Sequence, residues 1–568
     1  MTLFCGLLTL NPDSRLGTHL VDELKVLCKK NNLAAVGAEL HDAKFSIFSV
    51  DIGAFEYSGI IYDSTALTCI VGDPVLDEGG ERNRAADAKY IHDSFRQDGG
   101  KALRSCRGVF SGLFYNKTNN ELKIFTDKLG IRPVYYYIKD GVLLFSSIQE
   151  YLLNLPSVDK ECDLIGSCER LAAKYCFGHR TPYKYISLLK SGEVVSALNG
   201  KISSNRYFRF EEKVICLDKY EDKVREAFHH FEEGVKLRCS GSDGAAFLSG
   251  GLDSRCVTAA LRPHVERLYT FNFSTSESQD KVFARLYSKK LISDHVEKVF
   301  ESLSFPNWSQ LISAALSETE VSEGHVKPHI VWSGDGGSVG AGFVYLDKSI
   351  IDLYEEGRID ASTNAFLREN KLGVPINLFK RKFYKDIKDV LANSIKHELM
   401  SVSPDGAGKE WYLFLMYNDQ RRHLFTHFET IDRHRVELQL PFFDSEFLST
   451  VISVPIDKCL YHGFYMDWFQ LFPSFARETP WQTYPKHVPC TILYKDKLSY
   501  QWEKYKSSKS HSVRREESAN LLNLYNRSSF AQQYFSGYKV RLASLLHRFS
   551  VRDCSYFVEA MEEASRIC

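Results

Sequence analysis

The feature that most constrains the fold is a glycine turn between an apolar run and a helix-forming segment. Residues 245–248 read Ala-Ala-Phe-Leu, which predicts a buried strand, and residues 249–251 read Ser-Gly-Gly. The apolar pattern of residues 257–261 then predicts a helix. Such an arrangement aims unpaired backbone N–H groups and the positive end of the helix dipole at one point. The sequence therefore predicts an anion site here, most naturally for a phosphate group.

Side chains within the turn refine this prediction. The two adjacent glycines let the backbone come close to a ligand, and Ser249 and Ser254 add hydroxyl donors. Asp253 is unexpected beside a phosphate unless a cation lies between them, which predicts Mg²⁺. The turn is not a Walker loop, because it has no G-x-x-x-x-G-K-[ST] string.

As a string, Ser-Gly-Gly-Leu-Asp-Ser (249–254) resembles the pyrophosphate loop of the ATP-pyrophosphatase superfamily, and specifically of the asparagine synthetase family. The resemblance implies an enzyme that adenylates a carboxylate with Mg–ATP, releases pyrophosphate and lets an amine attack the acyl-adenylate. The residues implied to contact the β and γ phosphates are Ser249, Gly250, Gly251, Asp253 and Ser254, with Asp253 also holding Mg²⁺. The alternative is a plain glycine turn without a ligand.

A second glycine turn, residues 333–338, follows the predicted strand Ile330–Ser333. It reads Ser-Gly-Asp-Gly-Gly-Ser and resembles the family's Ser-Gly-Glu-Gly-Ser-Asp-Glu loop. The resemblance implies nucleotide contacts by Ser333, Gly334 and Gly336. It implies a metal-ligand or general-base role for Asp335, which stands where the family has Glu. Gly337 and Ser338 stand near the family's Ser-Asp pair, so one acidic group is missing.

Other candidates lie on either side of this turn. Asp280 follows the predicted strand 268–273 and resembles the acidic residue near the ATP base, although a charge at a helix N-terminus is the alternative. Glu429 and Arg433 lie in a predicted helix from Lys409 to about His434, as catalytic candidates or as a charged i,i+4 pair. Lys486 lies where the family has a lysine loop that neutralises the phosphates.

The first 205 residues are strand-rich, with helices predicted at 20–30 and 85–97. This pattern predicts a sandwich of antiparallel sheets. Residues 107–115, 125–137 and 141–147 resemble the class II glutamine amidotransferase domain of asparagine synthetases, which has an N-terminal-nucleophile hydrolase fold. The residues that carry the match are Asp127, Gly130, Arg132 and Pro133.

The glutaminase chemistry of that domain requires a Cys whose own α-amino group is the base. The first cysteine is Cys5, behind Met-Thr-Leu-Phe, so it is a candidate only if a short propeptide is removed. The family's Arg-Gly-Pro-Asp stretch has no counterpart between residues 27 and 67. The oxyanion turn appears as Val71-Gly72-Asp73-Pro74, and Val71 has no side-chain donor. Asp87 still matches the acid for the substrate amine. We expect a structural domain, with a processed glutaminase as the alternative.

The predicted fold is α/β, with an α+β N-terminal sandwich. Residues 1–205 form the amidotransferase-like domain. Residues 206–568 form the ATP-pyrophosphatase domain, a doubly wound parallel sheet with a helical C-terminal part. Residues 345–410 and 496–568 have no interpretable role.

Composition limits partners and location. With 44% apolar and 25% charged residues and a net charge of zero, the chain predicts neither a nucleic-acid nor a membrane partner. It has no apolar run of about 18 residues. Its 14 cysteines form no C-x-x-C pair, which favours reduced thiols and a cytoplasmic location. A homodimer is compatible with the sequence.

Three functions remain at this stage. The first is an ATP-dependent amide ligase that joins a small-molecule or peptide carboxylate to ammonia or a substrate amine, as β-lactam synthetases and lasso-peptide cyclases do. The second is a glutamine-hydrolysing asparagine synthetase with a mature Cys5. The third is a non-catalytic nucleotide-binding regulatory protein. The intact 249–254 string favours an enzyme, and the identity of the substrates lies outside the reach of the sequence.

Overall fold

The computed structural model describes most of the chain. The described residues are 2–11, 15–30, 37–41, 44–51, 53–55, 58–76, 83–212, 219–239, 243–275, 278–300, 329–402, 408–420, 424–425, 427–428, 436–500 and 511–567.

The strands are β1 (Thr2–Thr9), β2 (Gly37–His41), β3 (Phe45–Asp51), β4 (Ile60–Tyr62), β5 (Ala66–Gly72), β6 (Phe110–Asn116), β7 (Glu121–Thr126), β8 (Tyr135–Lys139), β9 (Val142–Ser146), β10 (Ile186–Leu188), β11 (Glu193–Leu198), β12 (Lys201–Arg206), β13 (Asp243–Phe247), β14 (Arg267–Thr275), β15 (Asp294–Phe300), β16 (Ile330–Trp332) and β17 (Glu437–Gln439).

The α-helices are α1 (Arg15–Lys30), α2 (Arg84–Gln97), α3 (Gln149–Leu153), α4 (Leu164–Ala173), α5 (Tyr220–Arg238), α6 (Asp253–Leu261), α7 (Gln279–Leu291), α8 (Gly337–Gly340), α9 (Lys348–Glu355), α10 (Ile359–Glu369), α11 (Tyr384–Ile387), α12 (Val390–Ser401), α13 (Lys409–Phe414), α14 (Ser445–Ser453), α15 (Ile456–Cys459), α16 (Gly463–Phe469), α17 (Ser474–Arg477), α18 (His511–Arg527), α19 (Ser529–Tyr534), α20 (Gly537–Arg548) and α21 (Ser555–Ser565).

Two antiparallel sheets form the N-terminal part of the chain, which confirms the predicted sandwich class. One contains β8, β9, β1, β3 and β2 in that order, with β1 in its interior. The other has the order β12-β11-β7-β6-β5-β4. A core of side chains such as Ile70, Ile91, Phe114 and Phe125 is buried against this second sheet. Residues of β5 and β6 are buried along nearly the whole strand, which explains why apolar runs in the sequence located these strands.

A parallel sheet with the order β15-β14-β13-β16-β17 follows, which confirms the predicted doubly wound domain. Strand order reverses between β13 and β16, because the chain adds strands first on one side of β13 and then on the other. Ligands of such sheets bind at the carboxyl ends of the strands, where the order reverses. This geometry positions the site described below.

The sequence did not predict β15 (Asp294–Phe300), which forms one edge of this sheet. The strand reads Asp-His-Val-Glu-Lys-Val-Phe, and its charged residues suppress the apolar signal. An edge strand has one partner and more solvent contact, so such residues are tolerated there.

Buried ion pairs join the antiparallel sheets to the segment around β17. Arg132 and Glu437 form two hydrogen bonds of 3.1 Å each, and both side chains are buried. Asp444 accepts from Arg107 Nε at 3.1 Å and from Arg238 Nη1 at 2.9 Å. Burial alone would raise the pKa of the Glu437 carboxyl, but the Arg132 guanidinium lowers this pKa to about 2. These carboxylates are therefore fully compensated by basic side chains.

By packing, the chain forms two compact units. The first draws on residues 1–157, 189–347 and 423–505 and contains the sheets just described. The second draws on 158–188, 348–422 and 506–568 and is mainly helical, with a core that includes Phe379, Phe530 and Met561. Packing is a different criterion from domain ancestry, so the boundary at residue 205 stays a prediction. None of the described helices is long and apolar enough to cross a membrane.

Candidate active site

Two glycine turns lie side by side at the carboxyl ends of β13 and β16. Residues 248–252 connect β13 to α6, and residues 333–336 connect β16 to α8. The structure therefore brings together the predicted nucleotide residues of both turns at the point where strand order reverses. The roles assigned to those residues stay predictions.

Hydrogen bonds within the first turn fix its shape. Ser249 N donates to Ser254 Oγ at 2.9 Å, and Gly251 N donates to Ser249 Oγ at 3.2 Å. Gly250 N donates to Asp280 Oδ1 at 2.9 Å, and Asn272 Nδ2 donates to the other carboxylate oxygen of Asp280 at 2.9 Å. Asp280 therefore links the first turn to Asn272 of β14.

The N-terminus of α6 is not capped by a side chain. Leu252 occupies the cap position and makes no side-chain hydrogen bond to the helix amides. A Cβ at Gly251 would meet only Ser249 Oγ at 3.4 Å, so this glycine borders open space, whereas a Cβ at Gly250 would lie 2.6 Å from Asp280 Cα. An uncapped helix start beside open space is suited to an anion.

The second turn packs directly on the start of α6. A Cβ at Gly334 would lie 2.5 Å from Ser254 N, and one at Gly337 would lie 2.6 Å from Asp253 Cγ. Ser338 donates to Asp253 Oδ2 from its backbone N at 3.1 Å and from its Oγ at 2.6 Å. These glycines therefore allow one turn to approach the other. Ser338, which stands near the position of the family's second acidic residue, thus binds Asp253 of the first turn.

Asp335 and Asp253 are neighbouring carboxylates in this crevice. Ser333 Oγ donates to Asp335 Oδ2 at 2.6 Å. Burial raises the pKa of Asp335, and burial raises the pKa of Asp253 to about 6, against the hydrogen bonds from Ser338 and Tyr465 and with a contribution from the Asp335 charge. In the part of the chain that the structure describes, neither carboxylate nor that of Asp280 forms a salt bridge. The crevice therefore concentrates negative charge without a basic partner.

Sequence reasoning missed an aromatic and histidine cluster beside Asp253. Tyr465 OH donates to Asp253 Oδ1 at 2.8 Å. His462 Nδ1 lies 2.6 Å from His487 Nδ1, and Tyr484 stacks on the His462 ring. Burial lowers the pKa of His462 to about 3 and also lowers that of His487. Two neutral imidazoles thus share one hydrogen bond near the carboxylates.

Arg255 was also missed, although it directly follows the 249–254 string. Its guanidinium is buried and donates to the carbonyl oxygens of Ala476 at 3.0 Å, Thr479 at 2.6 Å and Pro480 at 2.9 Å. It also lies over the Tyr287 ring, 4.9 Å from its centroid. Arg255 thereby ties α6 to the turn that precedes the Lys486 segment.

The structure places the segment that contains Lys486 beside the first turn, whereas Glu429 lies outside the described residues. The segment of Lys486 touches the first turn, since Gln482 N donates to Gly250 O at 2.9 Å. The Lys486 side chain itself is 69% exposed, and its Nζ lies 3.9 Å from Asp347 Oδ2. Glu429 and Arg433 lie outside the described residues, as does much of the helix predicted up to residue 434.

Cys5 lies in β1, an interior strand of the first antiparallel sheet. It pairs with Phe48 on one side and Ser146 on the other. The preceding residue, Phe4, is buried, donates its N–H to Ser147 Oγ at 3.1 Å and accepts from Ser147 N at 3.0 Å. Leu3 is buried as well. Leu3 and Phe4 are therefore part of the sheet and its core.

The predicted oxyanion turn, residues 71–74, is held by contacts with neighbouring residues of the same sheet and of α2. Val71 is completely buried in β5. Arg84 donates to the carbonyl oxygens of Gly72 at 3.0 Å and Ile70 at 2.9 Å, and to Asp51 Oδ2 at 3.1 Å. Asp87 Oδ2 accepts from Leu76 N at 3.3 Å.

Comparison with known proteins gives two family matches. Residues 54–208 match the family described as Glutamine amidotransferase domain, and residues 227–323 match the family described as Asparagine synthase. The first match covers the second antiparallel sheet, and the second covers α5 to β15 together with the 249–254 turn.

Two curated relatives are asparagine synthetases [glutamine-hydrolyzing] of Bacillus subtilis (strain 168). Number 3 is 23% identical over 270 residues, which is 45% of this chain and 42% of the relative. Number 1 is 24% identical over 282 residues, which is 49% of this chain and 41% of the relative. The chain thus spans less than half the length of these relatives.

Two solved structures also match. They are the allosteric regulatory enzyme of purine biosynthesis (10% identity, TM-score 0.24) and the glutamine phosphoribosylpyrophosphate amidotransferase from B. subtilis complexed with ADP and GMP (9% identity, TM-score 0.23). Each covers 60% of this chain, and the matches cover 76% and 77% of those chains. The similarity is carried instead by the two matched domains in their order and by the curated relatives. On these grounds the chain combines a region similar to the glutamine amidotransferase domain with a region similar to asparagine synthase, as its asparagine synthetase relatives do.

Proposed function

We propose that this chain is an ATP-dependent carbon–nitrogen ligase that adenylates a carboxylate and transfers the acyl group to ammonia or a substrate amine. One observation carries the proposal. At the strand-order reversal, an uncapped helix start with open space at Gly251 faces carboxylates that form no salt bridge with any residue that the structure describes. Such a crevice suits a polyphosphate together with a cation.

The donor set fits Mg²⁺. Asp253 and Asp335 offer carboxylate oxygens, and the described residues contain no cluster of three metal-binding side chains. Magnesium in nucleotide sites is usually held by one or two carboxylates together with the substrate phosphates, so a fuller protein cage is not required. When bound, the ion would neutralise charge on the phosphates.

The chain's own groups supply the remaining parts. The amides at the start of α6 and the hydroxyls of Ser249 and Ser254 bind the β and γ phosphates. The substrate carboxylate attacks the α-phosphate, and the bond to pyrophosphate breaks. The amine then attacks the acyl carbon and AMP leaves, while Asp335 accepts the proton that the amine loses. Burial, which raises the pKa of Asp335, makes this carboxylate a better base.

The amine source in this proposal is ammonia or a substrate amine. A glutaminase would need Cys5 as the first residue, and exposing it would remove Leu3 and Phe4 from the core. Such excision deletes two buried apolar side chains, each worth about 2–5 kcal/mol. Val71 offers no donor for an oxyanion. Glutamine hydrolysis at Cys5 is therefore the second candidate.

The test is pyrophosphate release by the full chain. Purified protein is supplied with ATP, Mg²⁺, ammonium and a panel of amino-acid and peptide carboxylates. We expect release of pyrophosphate and AMP with at least one carboxylate, abolished by a chelator. Asp253→Asn is expected to lower the rate by about 10²–10³-fold, as loss of a key electrostatic group does. Tyr465→Phe, which keeps the Asp253 carboxylate and removes the hydroxyl that donates to it, should lower the rate far less.

Two results would count against the proposal. Failure to bind Mg–ATP at millimolar concentration would contradict both the ligase and the nucleotide-binding regulatory alternative. Release of glutamate from glutamine, with a mature chain that starts at Cys5 by intact mass, would replace the present amine source by the glutaminase. Cytoplasmic location and a homodimer remain predictions.

A further inference from the structure

The turn at residues 71–74, predicted from the sequence as the oxyanion turn, contacts the parallel sheet. Asp73 directly follows β5, is 6% exposed, and its Oδ2 accepts a hydrogen bond of 2.9 Å from Gln439 Nε2. Gln439 ends β17 and is 3% exposed. The two residues are 366 positions apart, and both lie in the first compact unit. The second antiparallel sheet is thereby attached to β17, the edge strand of the parallel sheet that lies next to β16.

From Gln439 the contacts continue to the candidate base. Gln439 pairs with Trp332 of β16, and its carbonyl oxygen accepts from Ser333 N at 3.0 Å. Ser333 Oγ donates to Asp335 Oδ2 at 2.6 Å. Three consecutive hydrogen bonds thus link the Asp73 carboxylate to the Asp335 carboxylate.

The Asp73 turn is built rigidly enough to set a position. Gly72 has a φ of +85°, and a Cβ at Gly108 would lie 2.0 Å from Asp73 O. Asp73 N donates to Val109 O at 3.1 Å, and Gly108 N donates to Pro74 O at 2.8 Å. A buried turn held on both sides gives its side chain little freedom.

We propose that Asp73 is a positioning residue for amide-bond formation, which sets the place of Asp335 through Gln439 and Ser333. In this view the amidotransferase-like domain serves the synthetase as a fixed support, at the turn where relatives carry the oxyanion hole. The inference rests on the proposed function. It adds that the first domain is required even when ammonia or an amine is supplied directly.

The chemistry of the pair allows a sharp set of variants. Asp73→Ala removes the acceptor and leaves the Gln439 amide buried without it. Gln439→Glu places two buried carboxylates opposite each other, which is strongly unfavourable. Asp73→Asn combined with Gln439→Glu restores a hydrogen bond of reversed polarity, because the new amide can donate to the new carboxylate. Asp63→Ala is the matched control, since Asp63 precedes β5 and binds Thr65 N and Ala66 N at the other end of the same strand.

Pyrophosphate-release kinetics are the first readout. Asp73→Ala and Gln439→Glu should lower kcat by about 10–100-fold, as expected for a small misplacement of a reacting group, with KM for ATP within about threefold of wild type. The double variant should recover most of kcat. Asp63→Ala should leave both parameters near wild type.

Hydrogen exchange of the full chain is the second readout and needs no activity. Asp73→Ala should speed exchange of the Ser333 amide, and of the segment 333–340, by about tenfold or more. Exchange in β13 and β14 should be unchanged, and Asp63→Ala should leave 333–340 unchanged.

The inference is overturned if Asp73→Ala keeps wild-type kcat. It is also overturned if the double variant fails to recover activity lost in Gln439→Glu, or if faster exchange is spread evenly over the chain. If the wild type releases no pyrophosphate but binds Mg–ATP, the proposed function fails. The exchange pattern then still decides whether Asp73 positions the 333–338 turn.

Discussion

Two groups of carboxylates in the same compact unit, one fully buried around β17 and one more accessible in the crevice, are treated in opposite ways. Around β17, Glu437 and Asp444 are matched by Arg132, Arg107 and Arg238 through hydrogen bonds of 2.9–3.1 Å. In the crevice, Asp253 and Asp335 receive hydrogen bonds only from hydroxyl and amide groups among the described residues. The pKa of Glu437 is lowered, and those of Asp253 and Asp335 are raised.

The difference is the one expected between a structural role around β17 and the binding role proposed for the crevice. A buried charge with a basic partner stabilises the fold only while the partner remains, whereas a partly desolvated charge without one costs stability until a ligand supplies the counter-charge. The same chemical substitution, from carboxylate to amide, should therefore have opposite effects on stability at the two places.

The largest effect is expected at Glu437. Glu437→Gln leaves the Arg132 guanidinium buried without a counter-charge, which should lower the free energy of unfolding by about 3–5 kcal/mol. Replacing both residues by Met should recover most of the loss. Urea unfolding of the full chain measures this. A single variant as stable as wild type would show that solvent reaches the pair.

A smaller effect of opposite sign is expected at Asp253. Its pKa lies near 6 in the folded chain against an ordinary value of 3.8, so the folded state binds more protons between these values. Stability therefore falls as pH rises through this window. Asp253→Asn lacks this titration and should be about 1–2 kcal/mol more stable than wild type at pH 7, with the gain disappearing near pH 4. Unfolding midpoints across pH 4–8 measure it. A gain that is equal at both pH values would contradict the charge argument.

The smallest effect is expected at Lys486. Its exposed ammonium, 3.9 Å from Asp347, has the weak coupling of a surface pair, about 0–1 kcal/mol. Lys486→Met should therefore change kcat and KM for ATP by no more than about fivefold. A loss comparable to that of Asp253→Asn would mean that the side chain moves onto the phosphates during the reaction.

The parts of the fold that sequence predicted are those determined by local pattern. The apolar runs before residues 249 and 333 and the glycines that follow them located both turns and the strands that carry them. Strand β15 was missed because an edge strand needs little apolar character. The aromatic residues near Asp253 were missed for another reason. Tyr465 stands 212 positions from Asp253, within the run Gly-Phe-Tyr-Met-Asp-Trp-Phe, and nothing local distinguishes it from a core residue.

The turn at residues 71–74 shows a different limit. The sequence shows that Val71 has no side-chain donor for an oxyanion, which predicts only the loss of an oxyanion hole. The contact of Asp73 with Gln439 depends on a partner 366 positions away, so the residue type alone could not indicate it. The substitution that removes one function is visible in a sequence, but the contact that replaces it requires the folded chain.

Arg255 has a consequence for how the protein is made. Its three carbonyl partners lie 221, 224 and 225 positions further along the chain. At ribosomal rates of about 5–20 residues per second, roughly 11–45 s pass between synthesis of Arg255 and synthesis of Pro480. During that interval the start of α6 lacks the turn that fixes it, and the guanidinium must remain hydrated. The 249–254 turn is therefore completed late in translation, and nascent chains released before residue 480 should be recognised by chaperones and, under the proposed function, unable to retain nucleotide.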